Sequence, residues 1–167
     1  VRRARAILDT PYGRPLWFVN VFADQAARIG HLEAAGFAAQ TGVGEDSWAK
    51  VWMLHSGEMP ADDDALPLGA VIRPLAGQRE VDAYVELQRA VFGSKNMTSE
   101  WRARTLRRPE YVPDLDLVAA APDGRLAAFC VCWLADIPGL GRCGQVEPIG
   151  VHDDVRGVGL GRVILCE

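Results

Sequence analysis

The stretch Arg156-Gly-Val-Gly-Leu-Gly161 is where the sequence most plainly offers chemistry. Glycines at every second position leave backbone amides uncovered, and an apolar run, Val163 to Leu165, follows them. A strand-like run, Cys143 to Val151, comes before. A strand that feeds a helix through bare glycine amides can hold an anion. Small residues let phosphate oxygens come close, and the helix dipole favours negative charge there. The familiar nucleotide motifs do not match. A dinucleotide fingerprint needs GxGxxG, and counting from Gly157 its last glycine falls on Arg162,. A P-loop needs GxxxxGK and then Ser or Thr, and Arg162 again occupies the second glycine position with no lysine after it,. Taken alone, the pattern reads better as a glycine-rich turn that starts a helix tightly.

The wider stretch VEPIGVHDDVRGVGLGRVIL changes that reading. It resembles the acyl-coenzyme A signature of the GNAT superfamily of N-acetyltransferases. That signature is a strand ending in an aliphatic residue, a His-type residue with proline, two variable positions, and then Arg/Gln-x-x-Gly-x-Gly/Ala. Val151, His152 and Arg156 to Gly161 stand in register, with Asp153 in place of the proline. The resemblance is closest to the tandem-domain members. It implies acetyl-coenzyme A as cosubstrate and no metal. The amides of Gly157, Val158, Gly159, Leu160 and Gly161 would hold the pyrophosphate, and Arg156 would add positive charge. The backbone edge of Ile149 to Val151 would pair with the pantetheine arm, and an N–H there would stabilise the developing oxyanion. The implied activity is acetyl transfer to a primary amine of a small molecule or protein. The alternative is a degenerate, non-catalytic module that binds coenzyme A as a regulatory ligand or serves as a scaffold. The implied partners are an acyl-coenzyme A and an amine acceptor, with pairing to a second copy or to complementary domain halves.

Acyl transfer to an amine also needs a base. Glu147 is the candidate: a period of two puts it on one strand face with Ile149 and Val151, and partial burial among apolar neighbours would raise its pKa,. An ordinary, partly exposed strand glutamate explains it equally well. His152, just after the strand, is placed to titrate, although a solvent-facing role is commoner. Tyr84, Trp101 and Tyr111 lie in the region that, by the resemblance, shapes the acceptor pocket, and core packing explains Tyr84 as well. Near the other end, FADQAARIGHLEAAGF resembles the element that follows the signature helix in the family, N-x-x-A-x-x-L-Y-E-x-x-GF. Glu33, Gly36 and Phe37 match it. Leu32 stands where many members carry a Tyr placed to protonate the leaving thiolate. His31 is adjacent, but successive helix positions point about 100° apart, so a surface histidine is the better reading.

Elements must position these groups. The resemblance implies an α/β (α+β) fold, a mixed, mainly antiparallel central sheet flanked by helices, here incomplete or permuted. Residues 1–56 read as the C-terminal part of a first such domain, 57–69 as a linker rich in Pro, Gly and Asp, and 70–167 as the N-terminal part of a second,. In the first part, Leu16 to Phe22 predicts a strand buried on both faces. Asp24 predicts a cap for a helix to about Ala35, and Gly36 a left-handed stop. Phe37 to Gly42 and Trp48 to Leu54 predict further strands. In the second part, Ala70 to Pro74 predicts a strand, and Glu80 to Phe92 a helix with one apolar stripe. Thr98 or Ser99 caps a helix to about Arg107. Pro122-Asp123-Gly124 turns a hairpin between Leu115 to Ala121 and Arg125 to Leu134. Gly157 opens the last helix. Placed after GLGRVILCE, the opening VRRARAILD completes one helix, so the chain reads as one domain's elements in rotated order. A piece of a tandem protein and a circular permutation both explain this. The absent initiator Met favours the piece.

Composition sets outer bounds. The 167 residues are 49% apolar and 24% charged, with a net charge of −4, which suits a globular chain and gives no general attraction to nucleic acid or anionic membrane,. No apolar run approaches the roughly 20 residues of a spanning helix, and no signal peptide opens the chain, which points to the cytoplasm. Cys130 and Cys132 should share one strand face as buried, reduced thiols, since no CxxC pair or nearby histidine completes a metal set,. Asp62 to Asp64 lack calcium-loop spacing and read as a solvated charge run.

Overall fold

The structure, a computed structural model, describes residues 19–39, 53–55, 66–93, 95, 97–137 and 139–167. The chain divides into two units, Val1–Glu58 and Met59–Glu167. In the first, helix α1 (Ala26–Ala34) starts without a side-chain cap. Gln25, not Asp24, holds the N-cap position, which corrects the sequence reading by one residue. Its end follows expectation. Gly36 has φ +89°, its N–H donates to the Glu33 carbonyl (2.9 Å), and the Phe37 N–H donates to the Leu32 carbonyl (3.0 Å). That pair of bonds closes a helix through a left-handed residue that glycine adopts without strain. Residues 19–22 are not a strand, and Val19 and Phe22 are about half exposed. The doubly buried strand expected there is therefore corrected over its described part. Among the described residues every strand lies in the second unit. Residues 37–39 and 53–55 are likewise outside any strand, with Met53 and Leu54 exposed. The rest of those expected strands, the opening VRRARAILD and residues 57–65 of the expected linker lie outside the described residues.

In the second unit four strands pair antiparallel in chain order: β1 (Val71–Pro74), β2 (Asp116–Ala120), β3 (Leu126–Ile137) and β4 (Gly141–Val151). Helices α2 (Val81–Phe92) and α3 (Ser99–Thr105) connect β1 to β2, and α4 (Leu160–Cys166) follows β4. The stripe on α2 is buried at Val81, Tyr84, Val85 and Leu87, and Gly93 ends the helix at φ +57°. Thr98 caps α3, its hydroxyl accepting the Trp101 N–H at 3.1 Å,. Alternation along β3 sorts the core onto two faces. Phe129 and Val131 pack with Leu75, Tyr84, Leu87 and Val118 on the α2 side. Ala128 and Cys130 pack with Ala70, Ala119, Leu160 and Ile164 on the α4 side. Each large side chain so buried contributes about 1.5–3 kcal/mol, so both helices are held by packing rather than by their own propensity.

Candidate active site

A register shift in the β3–β4 ladder organises the site. Cys130 pairs with Ile149, but Cys132 pairs with Val146, so β4 carries one extra residue at Glu147–Pro148. That peptide bond is cis. An extra residue reverses which side chains face which way. Ile149 and Val151 lie opposite Cys130 and Ala128 and so take the α4 side. Gln145 lies opposite Trp133 and takes the α2 side with it. Glu147 stays with Gln145: the Gln145 amide Nε2 donates to the Glu147 carboxylate at 2.9 Å, and the Trp133 indole Nε1 donates to the Glu147 carbonyl at 2.8 Å. The sequence expectation that Glu147 shares a face with Ile149 and Val151 is therefore corrected, because unbroken alternation does not hold across the bulge. The expected partial burial is corrected too, since Glu147 is exposed.

The signature loop follows β4. The His152 N–H donates to the Ala127 carbonyl (2.9 Å), carrying the pairing one residue past the strand. Its Nδ1 accepts the Asp154 N–H (3.3 Å) and caps the tight turn Asp153–Val155. Arg156 closes the loop on itself, donating from Nε to the Val151 carbonyl (3.2 Å) and pairing with Asp153 (2.9 Å). Gly157 and Gly159 have φ of +82° and +91°, a region other L-residues enter only with strain,. These angles hold the loop out of the helix, so α4 starts at Leu160 rather than at Gly157. Gly161 is favoured by contact instead: a Cβ there would sit 3.3 Å from Val151 Cγ2, a tight approach. The Arg162 and Val163 amides return to the Gly159 carbonyl. Among the described residues no protein acceptor takes the amides of Gly157, Val158, Gly159, Leu160 or Gly161. The outer edge of β4 meets no further strand among the described residues.

Sequence reasoning missed a buried polar cluster under α3. The Arg102 guanidinium binds Asp116 and lies 3.7 Å from the centre of the Tyr84 ring, and the Tyr111 hydroxyl donates to the same carboxylate oxygen at 2.6 Å. Among the described residues, Tyr84 Oη, Arg102 Nε and Asp116 Oδ1 have no hydrogen-bond partner. Burial raises the pKa of both tyrosines, helped at Tyr111 by its bond to Asp116. The available signal was an aspartate opening the otherwise apolar strand Asp-Leu-Val-Ala-Ala, which needs a cation when buried,. Of the three aromatic candidates, Tyr84 is core, packed on Phe129 with ring centres 5.2 Å apart, and Trp101 is exposed. Tyr111 lines an open cleft of about 560 Å³ with Leu75, Gln78, Ala103, Arg107 and Pro113. In the first unit His31 is exposed and Leu32 half-buried. Cys130 is buried, which pushes its thiol up to about 11, and Cys132 is half-buried and also raised. Among the described residues no three His, Cys, Asp or Glu side chains gather as metal ligands, and no helix is long and apolar enough to cross a membrane.

The four-stranded antiparallel sheet flanked by helices matches the fold of a GCN5-related N-acetyltransferase from Sphaerobacter thermophilus. The two superpose with a TM-score of 0.51 at 25% identity over 64% of this chain and 33% of that one. The chain is similar in fold and in sequence to N-acetyltransferases of the GNAT family. Its relatives in sequence include the mycothiol acetyltransferase of Thermomonospora curvata, 30% identical over 139 residues (78% of this chain, 44% of that protein). That of Salinispora arenicola is 29% identical over 140 residues (80% and 45%). The chain spans less than half the length of the curated relatives it matches. No protein-family profile matches it.

Proposed function

We propose that the second unit binds acetyl-coenzyme A and transfers the acetyl group to a primary amine of a small molecule or protein. The observation that carries this reading is the run of five amides, Gly157 to Gly161, without a protein acceptor, at the start of a helix seated against the last residue of a bulged strand. The residues fit an anionic pyrophosphate. The loop has the open space and positive φ angles of a cradle, and no side chain at Gly157 or Gly159 fills it,. Bound acetyl-coenzyme A supplies the activated acetyl group. The amides of Gly157, Val158, Gly159, Leu160 and Gly161 hold its phosphates, and Arg156 keeps the loop closed and adds positive charge. The free backbone edge at Ile149 to Val151 aligns the pantetheine arm and polarises the acetyl carbonyl. Glu147 takes the proton of the incoming amine.

Isothermal titration calorimetry with acetyl-coenzyme A tests the binding step. Gly159→Asp puts a carboxylate among the five amides at φ +91°, and it should weaken binding at least tenfold, by about 1.4 kcal/mol or more,. Unchanged affinity removes the loop from the site. Release of free thiol on adding a panel of primary amines tests transfer, and a chain that binds acetyl-coenzyme A but accelerates release with no amine is not the transferase proposed.

A further inference from the structure

We infer that Gln145 and Trp133 are positioning residues that hold Glu147 for proton transfer; this rests on the reading of Glu147 as the general base. The bulge takes Glu147 out of the regular ladder, where its carbonyl would otherwise find a backbone donor on β3,. A side chain supplies the donor instead, the Trp133 indole at 2.8 Å. Trp133 is itself fixed, half-buried against the α2-side cluster of Phe129 and Val131. Its cross-strand partner is Gln145, whose amide reaches the Glu147 carboxylate at 2.9 Å. One bond thus fixes the backbone of the bulged residue and the other fixes its carboxylate. Both come from one cross-strand pair on the face that carries α2. Glu147 is exposed, so apolar packing does not orient it; these two bonds do. The Gln145 amide binds Oε2, and among the described residues no donor meets Oε1, which keeps its lone pairs open to accept a proton,.

The test compares Gln145→Leu, Trp133→Phe and Glu147→Gln in the full chain. The assay follows thiol release from acetyl-coenzyme A with the most reactive amine of a primary-amine panel. Gln145→Leu and Trp133→Phe should each lower kcat about tenfold and leave KM for acetyl-coenzyme A unchanged. Neither should lower it further when combined with Glu147→Gln, because each acts through that residue. If Glu147→Gln is without effect, the base assignment falls and this inference falls with it. If Glu147→Gln lowers kcat but the other two leave it within twofold, positioning alone is refuted. An independent readout is the Gln145 side-chain amide in nitrogen-15 NMR. Its resonances should shift as pH is lowered through the carboxylate range, and Glu147→Gln should abolish that shift. An amide insensitive to Glu147→Gln overturns the inference whatever the turnover.

Discussion

Replacing Asp116 with Asn should be among the most damaging single changes in the second unit. The Arg102 guanidinium is 2% exposed and the Asp116 carboxylate 0% exposed. Asn keeps an oxygen for the Tyr111 hydroxyl but removes the charge that, among the described residues, pairs with Arg102, leaving the guanidinium against the Tyr84 ring. Removing one partner of a buried ion pair costs about 3–5 kcal/mol, because the other charge stays out of water unpaired. For a unit of roughly 100 residues, each kcal/mol lowers Tm by about 4–8 °C, so the melt should fall by at least about 12 °C. The two partners are not equivalent. A carboxylate left alone in Arg102→Met can take up a proton, whereas a guanidinium left alone in Asp116→Asn cannot lose one. Asp116→Asn should therefore melt well below Arg102→Met, and the double variant, which buries no charge, should recover stability relative to Asp116→Asn. Circular dichroism melts of the four proteins decide it. A melt of Asp116→Asn within about 2 °C of the parent refutes the buried pair, and a double variant as unstable as the two single losses added together refutes the charge argument.

The other expectations are smaller in scale. Glu80 accepts from Arg73 at 2.6 Å and from the Ala76 N–H at 2.8 Å, and the Arg73 bond holds its carboxyl below the usual value of 4.5. A carboxylate with a lowered folded pKa stabilises above its unfolded pKa, and that stability is lost as pH falls through the folded one. Glu80→Gln should therefore cost about 1 kcal/mol near neutral pH in urea titrations, and the difference from the parent should shrink below about pH 4.5. Burial holds the Cys130 thiol near 11, so iodoacetamide at pH 8 should label Cys143 and Cys166, which are partly exposed, before Cys130,. Peptide mass spectrometry reads the order, and early labelling of Cys130 means that the α4-side core opens. Gly161→Val should destabilise by about 1–3 kcal/mol through overpacking against Val151, measured by thermal melt,. A neutral result would mean that α4 does not seat on the end of β4.

Local rules carried the reading of the second unit a long way. The apolar stripe of α2, the Thr98 cap and the Pro122-Asp123-Gly124 turn, like the Gly36 stop in the first unit, each depend on a few neighbouring residues, and each is where its residues require it. The glycine-rich turn ahead of the last helix is legible for the same reason, whereas the close approach of Gly161 to Val151 is visible only in the structure. Two features escaped because they depend on partners far along the chain. Arg102 reads as one more polar residue of a short charged helix until the fold sets it over Tyr84 and against Asp116. The faces of β4 were assigned by counting in twos, which holds only while the ladder is regular. A warning was present in Pro148: proline has no N–H for a ladder, and within a strand it marks an edge or a bulge,. In the first unit, composition alone predicts burial for Leu16 to Phe22, yet Val19 and Phe22 are half exposed, because β-prone composition does not by itself supply a sheet,.

The bulge explains why one strand can serve two demands that alternation would set against each other. Val151 must face α4, since it packs with that side of the core and meets Gly161 at the start of the glycine loop. Counting back in twos from Val151 would send Ile149, Glu147 and Gln145 to that same face. A carboxylate there would point toward a cluster built from alanine, cysteine, leucine and isoleucine, whose one donor is the weak S–H of Cys130,. One extra residue between Val146 and Ile149 resolves the conflict. The C-terminal end of β4 keeps its apolar side chains on the α4 face and leads directly into the loop. Glu147 and Gln145 turn to the opposite face, where Trp133 and the Gln145 amide have hydrogen bonds to offer. Within five residues, the irregularity therefore separates the end of the strand that leads into the glycine loop from the part that carries Glu147, the two places where the proposed function sets the cofactor and the base.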